Sequence, residues 1–293
     1  MKKNVFKIGA LLIPLIAVLM LSCNCSRKDK AIQGESGSII RDSLRYKKPV
    51  FDSVIIEKDI CFAELTTNKG SLEKFCLDVY TPYGDEETNR PAILWVHGGG
   101  FRAGDKTQGY IVTLANEFAK RGYVSISADY RLRGNPKEDM EGTLNDAVSD
   151  VMMALGWVRE NSEKYGINKN YIAIGGGSAG GILSTNLCYK DATSTEEWDK
   201  SGVIAFINLW GSPSKERMDK IIDKNDPPTL LIHGMADSVV PFSNCEWLVN
   251  ALDSAGVRFS VFPIPGAGHT PVGHIGDIVE RIQKFLYGIL SGD

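Results

Sequence analysis

Tyr171-Ile172-Ala173-Ile174-Gly175-Gly176-Gly177-Ser178-Ala179-Gly180-Gly181 is the stretch on which the fold turns. A short apolar run stops at glycines, and a helix-competent segment follows from Gly181 to Cys188. The first part reads as a buried strand and the second as a helix. Gly176, Ser178 and Gly180 stand at Gly-x-Ser-x-Gly spacing. Small neighbours let the chain reverse tightly about the serine and expose its hydroxyl at the strand end. The following helix aims its first N–H groups at the same point.

The same alternation extends in both directions. Ala92–Val96, Tyr123–Ala128, Val203–Leu209, Thr229–His233 and Arg258–Phe262 read as strands. Gln108–Arg121, Thr143–Tyr165, Asn244–Ala255 and Ile275–Leu286 carry helical spacing of apolar residues. Ahead of them, Ile60–Leu65 and Lys74–Tyr80 flank Asn68-Lys69-Gly70 as an antiparallel hairpin. Strands alternating with helices predict a mostly parallel sheet covered on both faces. In such sheets ligands sit beyond the carboxyl ends of the strands.

Four loops at those ends hold the chemistry. His97-Gly98-Gly99-Gly100-Phe101 follows one strand, and its adjacent glycines can turn backbone N–H groups toward a ligand oxygen. The second loop is the Ser178 turn. Asp237 lies just past Thr229–His233, and His269 lies past the last strand.

The chain order Ser178, Asp237, His269 is the α/β-hydrolase order. With HGGG at His97–Gly100, the elbow, and Asp129-Tyr130-Arg131-Leu132 followed by Asp150 and Trp157, the chain resembles that superfamily from about Phe75 to Phe285. It is most similar to the HGGG-type esterases, hormone-sensitive-lipase-like or bacterial feruloyl and acetyl esterase-like. Arg133-Gly134-Asn135-Pro136 departs from the Ala-Pro-Glu of the lipase-like members and favours the second group. The resemblance implies an α/β-hydrolase fold with an N-terminal antiparallel hairpin, helices on both faces and a minimal cap.

It also implies roles. Ser178 is the expected nucleophile, His269 its general base and Asp237 the partner of the imidazole. The N–H groups of Gly99, Gly100 and Ala179 are the expected oxyanion donors. Phe101, Trp210 and Met235 are candidate walls of the acyl pocket, although each also suits a core. His97 is expected to prop the glycine loop, and His233 to be a satisfied core histidine. Asp223 and Asp226 precede their strand and so sit at the wrong end of the sheet.

The expected reaction is hydrolysis of carboxylic esters through an acyl-enzyme, with acetyl or feruloyl groups on carbohydrate as substrate. The alternative is a general short-chain carboxylesterase. Gly175, Gly177 and Gly180 also fit G-x-G-x-x-G, so a dinucleotide-binding protein is a distant reading. A non-catalytic binding protein on this fold is another. The first leaves His97–Gly100, Asp237 and His269 unexplained, and the intact Ser178, Asp237 and His269 argue against the second. The segment between Ser178 and Asp237 must hold a helix, a strand and the polar stretch Ser212–Asp226, leaving no room for a large cap.

At the N-terminus, Lys2, Lys3 and Lys7 precede an apolar run from Ile8 to Leu21. A basic start, a short apolar stretch and a small residue at the cut describe a secretory signal. Leu19-Met20-Leu21-Ser22-Cys23 resembles a bacterial lipobox, which implies lipidation of Cys23 and a membrane-anchored envelope protein. The expected organisation is a signal peptide over 1–22, a flexible tether over 23–47 and a catalytic domain over 48–293.

Composition fits this reading. The 293 residues are 43% hydrophobic and 24% charged, which suits a globular domain and excludes a disordered or collagen-like chain. The formal charge of -3 gives no basic excess for nucleic acid. The four histidines show no ligand spacing and no CxxC pair occurs, so neither metal nor cofactor is expected. Centring the hairpin turn between Asn68 and Lys69 places Cys61 opposite Cys76, where an exported protein can form a bridge; a three-residue loop would shift that register. Cys188 and Cys245 read as small core residues.

Overall fold

The computed structural model describes residues 44–189, 200–212 and 222–292. The segment expected to be a signal peptide, Cys23, most of the expected tether and most of the polar stretch after Ser212 lie outside the described residues.

The strands are β1 (Val54–Thr66), β2 (Leu72–Pro82), β3 (Arg90–Val96), β4 (Val124–Ala128), β5 (Ile167–Gly177), β6 (Val203–Leu209), β7 (Thr229–Gly234) and β8 (Phe259–Ile264). They form one sheet in the order β1-β2-β4-β3-β5-β6-β7-β8. The β1–β2 and β2–β4 pairs are antiparallel, and the remaining pairs are parallel. The helices are α1 (Gly109–Ala119), α2 (Met140–Glu160), α3 (Ala179–Tyr189), α4 (Phe242–Ala255) and α5 (Ile275–Ser291). This is the α/β-hydrolase fold the sequence implies.

Side-chain alternation along the buried strands sorts the core into two layers. In β3, Ala92, Leu94 and Val96 face a layer with Val151 and Leu155 of α2, Leu183 of α3 and Leu248 of α4. Ile93 and Trp95 face the other layer, with Ile111 and Leu114 of α1 and Ile278 and Ile282 of α5. Burying one such side chain, for example Leu94, contributes roughly 2 kcal/mol. Local signals set the helix ends. Asp139 Oδ1 accepts from the Gly142 N–H at 2.9 Å at the start of α2, and Gly256 takes a left-handed φ of 76° after α4.

The hairpin pairs Cys61 with Cys76 across the strands, and the two are joined as a disulfide. Cys188 and Cys245 are free and buried. Burial pushes the Cys245 thiol up to about 12, so it stays protonated.

The packed chain begins earlier than Lys48. Tyr46 is buried edge-on against Tyr123, and the Arg45 guanidinium pairs with Asp85. The polar composition around these residues resembles a tether, but a single buried aromatic ring outweighs it and docks the segment.

Candidate active site

The centre of the sheet positions the site. β5 runs through Gly175, Gly176 and Gly177 to Ser178, whose φ of 54° is left-handed. A non-glycine residue adopts that conformation only when its surroundings hold it there. The Ser178 N–H donates to Leu209 O at 2.9 Å, and the chain enters α3 at the next residue. The glycines are needed for close approach. A Cβ on Gly180 would lie 2.2 Å from Val96 O, and one on Gly176 would lie 2.4 Å from Gly180 O.

The loops after β7 and β8 converge on this serine. Ser178 Oγ lies 2.9 Å from His269 Nε2, and His269 Nδ1 lies 2.7 Å from Asp237 Oδ2. A carboxylate only accepts, so the ring proton sits on Nδ1 and the Nε2 lone pair faces the serine hydroxyl. Asp237 Oδ1 accepts from the N–H groups of Val239 and Val240 at 2.8 and 2.9 Å. Burial pushes the Asp237 carboxyl up, but the His269 hydrogen bond and these two N–H groups outweigh it and hold it below its ordinary value. The group is therefore ionised at neutral pH.

The glycine loop after β3 lies against the elbow. A Cβ on Gly98 would come 3.0 Å from Gly177 O and 3.4 Å from Ser178 Cβ. The Gly98 N–H donates to Gln108 Oε1 at 2.9 Å and to the Tyr110 hydroxyl at 3.1 Å. Gly99 and Gly100 follow with φ of 119° and 62°. Among the described residues, no hydrogen bond occupies the N–H of Gly99, Gly100 or Ala179. Ala179 is the first residue of α3, where an N–H has no intrahelical acceptor.

His97 is buried, stacks on Tyr130 with ring centroids 4.3 Å apart, and donates from Nδ1 to Gly98 O at 2.7 Å. It props the loop, as expected. His233 is also buried, but it touches the site: its Nε2 donates to Val240 O at 2.8 Å and lies 3.3 Å from Asp237 Oδ2. His274 is on a separate short turn beside Asp277. Asp226 pairs with Lys200 ahead of β7, at the far end of the sheet.

The candidate pocket residues separate. Met235 is 49% exposed at the end of β7, on the site side of the sheet. Phe101 is buried edge-on to Tyr130. Trp210 is a correction to the pocket expectation. It is 0% exposed and packs on Tyr110, 5.3 Å between centroids, so it is core. Its position one residue past β6 points to the site, but the ring is buried against Tyr110 instead.

Residues the sequence reading did not single out hold the site. Gln108 and Tyr110 fix Gly98, but they look like ordinary residues at a helix start. Asn208, a buried amide in the apolar strand β6, accepts from the Gly211 N–H at 2.8 Å. An amide inside an apolar run was a usable signal, because a buried polar group needs a partner. Arg131 and Asp150, which the sequence did mark, are joined: Asp150 accepts from the Arg131 backbone N–H at 2.7 Å and from its Nη2 at 2.7 Å. Among the described residues, no group of three or more His, Cys, Asp or Glu could hold a metal ion.

The chain is similar to known proteins in sequence and in fold. The family model BD-FAE matches residues 77–206, and that of the prolyl oligopeptidase family matches 191–292. Esterase LipC of Mycobacterium tuberculosis is 28% identical over 66% of this chain and 56% of its own. An isoprenylcysteine alpha-carbonyl methylesterase of Arabidopsis thaliana is 22% identical over 75% of this chain and 58% of its own. The chain thus spans less than two thirds of the length of these relatives. Among solved structures, the propionate-bound thermophilic esterase 2 of Thermogutta terrifontis superposes with a TM-score of 0.65, at 25% identity over 84% of this chain and 97% of that one. A truncated carbohydrate esterase from gut microbiota gives 0.65 at 22% identity, over 80% and 96%.

Proposed function

We propose that this chain, which belongs to the α/β-hydrolase superfamily and is related to its esterases, is a serine carboxylesterase. One observation carries the reading: a single imidazole joins the Ser178 hydroxyl at 2.9 Å to the Asp237 carboxylate at 2.7 Å. A free hydroxyl is a poor nucleophile. His269 Nε2 takes its proton as Ser178 Oγ attacks the ester carbonyl. Asp237 holds the Nδ1–H tautomer and stabilises the imidazolium. The carbonyl oxygen becomes an oxyanion, which the N–H groups of Gly99, Gly100 and Ala179 receive; losing one such donor costs about 3 kcal/mol of transition-state stabilisation. The imidazolium protonates the leaving alcohol. Water, deprotonated by the same imidazole, then releases the acid from the acyl-enzyme.

For the substrate we infer acetyl or feruloyl esters on carbohydrate. Support comes from the HGGG-elbow resemblance and from the likeness to a carbohydrate esterase. A secretion signal and lipobox at Cys23 would put the enzyme on the bacterial envelope, where polysaccharide is met. A Cys23→Ser protein should then leave the membrane fraction.

The test is labelling with a fluorophosphonate probe. The wild-type protein should react and Ser178→Ala should not, with kcat for p-nitrophenyl acetate falling about a millionfold. An unlabelled wild type sinks the esterase reading. A panel of longer acyl chains, methyl ferulate and acetylated xylan then sets the substrate. Activity that rises with chain length overturns the carbohydrate-ester assignment in favour of a general lipase-like esterase.

A further inference from the structure

A second opening lies beside the site at the carboxyl edge of the sheet. β2 runs antiparallel to β4, and Leu77 pairs with Ala128, the last residue of β4. The residues of β2 before Leu77, and the turn at 67–71, therefore overhang the strand ends. Beneath them is a cleft of about 360 Å³. Its walls include Lys69 and Lys74 of the hairpin, Arg102 and Asp105 after β3, and Asp129 and Arg133 after β4. The loop that presses Gly98 against the Ser178 elbow is the loop that carries Arg102 and Asp105 into this wall. Cleft and site are thus neighbours on one segment of chain.

The charges lining it are unequally committed. Asp129 accepts from the Lys106 N–H at 2.8 Å, and Asp105 accepts from the Thr107 N–H at 2.7 Å. Glu73, also in the lining, accepts from the Ser71 hydroxyl at 2.8 Å. Arg133 pairs with Asp139 and Asp146. By contrast Lys69, Lys74 and Arg102 are exposed, and their side chains have no hydrogen-bond or ionic partner among the described residues. Glu73, Asp105 and Asp129 keep their charge, because neutral groups donate to them, so the lining is mixed; Lys69, Lys74 and Arg102 are the three cations in it without an ionic partner among the described residues, and these can pair with a ligand carboxylate. The remaining lone pairs of Asp105 and Asp129 suit sugar hydroxyls, which donate to them.

We propose that this cleft binds the alcohol side of the ester and selects a carboxylate-bearing saccharide, a uronate, over a neutral one. The proposal rests on the esterase reading above. Two matched mono-O-acetyl esters test it, one of glucuronic acid and one of glucose. At low salt the wild type should show about tenfold higher kcat/KM for the uronate ester, and the ratio should shrink toward one at about 0.5 M salt. Lys69→Gln/Lys74→Gln/Arg102→Gln should bring the ratio to near one at low salt. Equal kcat/KM for the two esters in the wild type, or a preference that survives the triple substitution, overturns the proposal. If neither ester nor p-nitrophenyl acetate is turned over, the esterase reading has failed. Calorimetric titration of the wild-type protein with glucuronate and with glucose then decides the cleft: tighter binding of glucuronate supports it, and no difference overturns it.

Discussion

His233 Nε2 lies 3.3 Å from Asp237 Oδ2, the oxygen that also accepts from His269 Nδ1. Val240 O, 2.8 Å from the same nitrogen, can only accept, so Nε2 carries the proton and shares it between the two oxygens. Burial, ahead of the opposing pull of Val240 O and Asp237, holds the His233 pKa below its ordinary value and keeps the ring neutral. Asp237 is thus fixed by two imidazoles and two backbone N–H groups. His233→Phe removes the donor and keeps a ring of similar bulk. The expected result is roughly a tenfold loss of kcat with little change in KM for p-nitrophenyl acetate. A loss confined to KM would mean that His233 does not position the carboxylate.

The glycines of the elbow and of the loop after β3 separate steric need from conformational need. A Cβ on Gly180 meets backbone, Val96 O at 2.2 Å, which cannot swing aside. Gly180→Ala should destabilise the protein by about 3 kcal/mol and displace Ser178. Gly100 has open space around its Cβ position but a φ of 62°. Gly100→Ala should cost only about 1 kcal/mol. Urea unfolding of the two variants measures the difference, and equal costs would contradict it.

His97 makes stability depend on pH. Burial lowers its pKa from 6.5 to about 4, against the opposing Gly98 carbonyl. Between those values the unfolded chain binds the proton and the fold does not, so stability rises with pH across that window. The contribution is fully present above pH 6.5 and is lost as pH falls toward 4, roughly 3 kcal/mol in all. His97→Asn keeps a donor for Gly98 O but does not titrate. Its urea midpoint should fall less between pH 7 and pH 4.5 than that of the wild type. An unchanged slope would show that other groups set the dependence.

How much of this was legible follows from which residues are forced. The Ser178 turn needs its glycines because backbone from β3 and α3 occupies the space of a Cβ, and such crowding leaves a mark in sequence. Asp237 and His269 were found because each follows a strand. Gln108 and Tyr110 were not, because holding Gly98 asks only for an acceptor, which many residues supply. Trp210 was placed by sequence position alone, and position does not tell which way a ring turns. The docking of Tyr46 was hidden by its polar neighbours. His233 was read correctly as buried, but its second partner depends on the loop after β7 folding back.

Lys106 ties the loop after β3 to the hairpin. Its Nζ lies 2.7 Å from Asp59 and 3.1 Å from buried Asp78. Burial opposes its charge, yet the two carboxylates outweigh it and hold the ammonium above its ordinary pKa. Lys106→Met leaves Asp78 without its cation and should cost about 3 kcal/mol or more. Adding Asp78→Asn should recover part of the loss, because the stranded charge is then gone. Urea unfolding of the single and double variants checks this; no recovery would mean that the lysine acts through packing of its stem.

The Cys61–Cys76 bridge closes a loop of 15 residues. Its stabilisation comes mainly from restricting the unfolded chain, about 3 kcal/mol for a loop of that length. The two strands are already paired over Val54–Thr66 and Leu72–Pro82, so removing the bridge should leave the native register intact. Cys61→Ser/Cys76→Ser should therefore lower the unfolding free energy by about that amount. Adding reductant to the wild type should do the same, and should do nothing further to the double variant. If reductant destabilises the double variant as well, the effect does not come from the hairpin bridge.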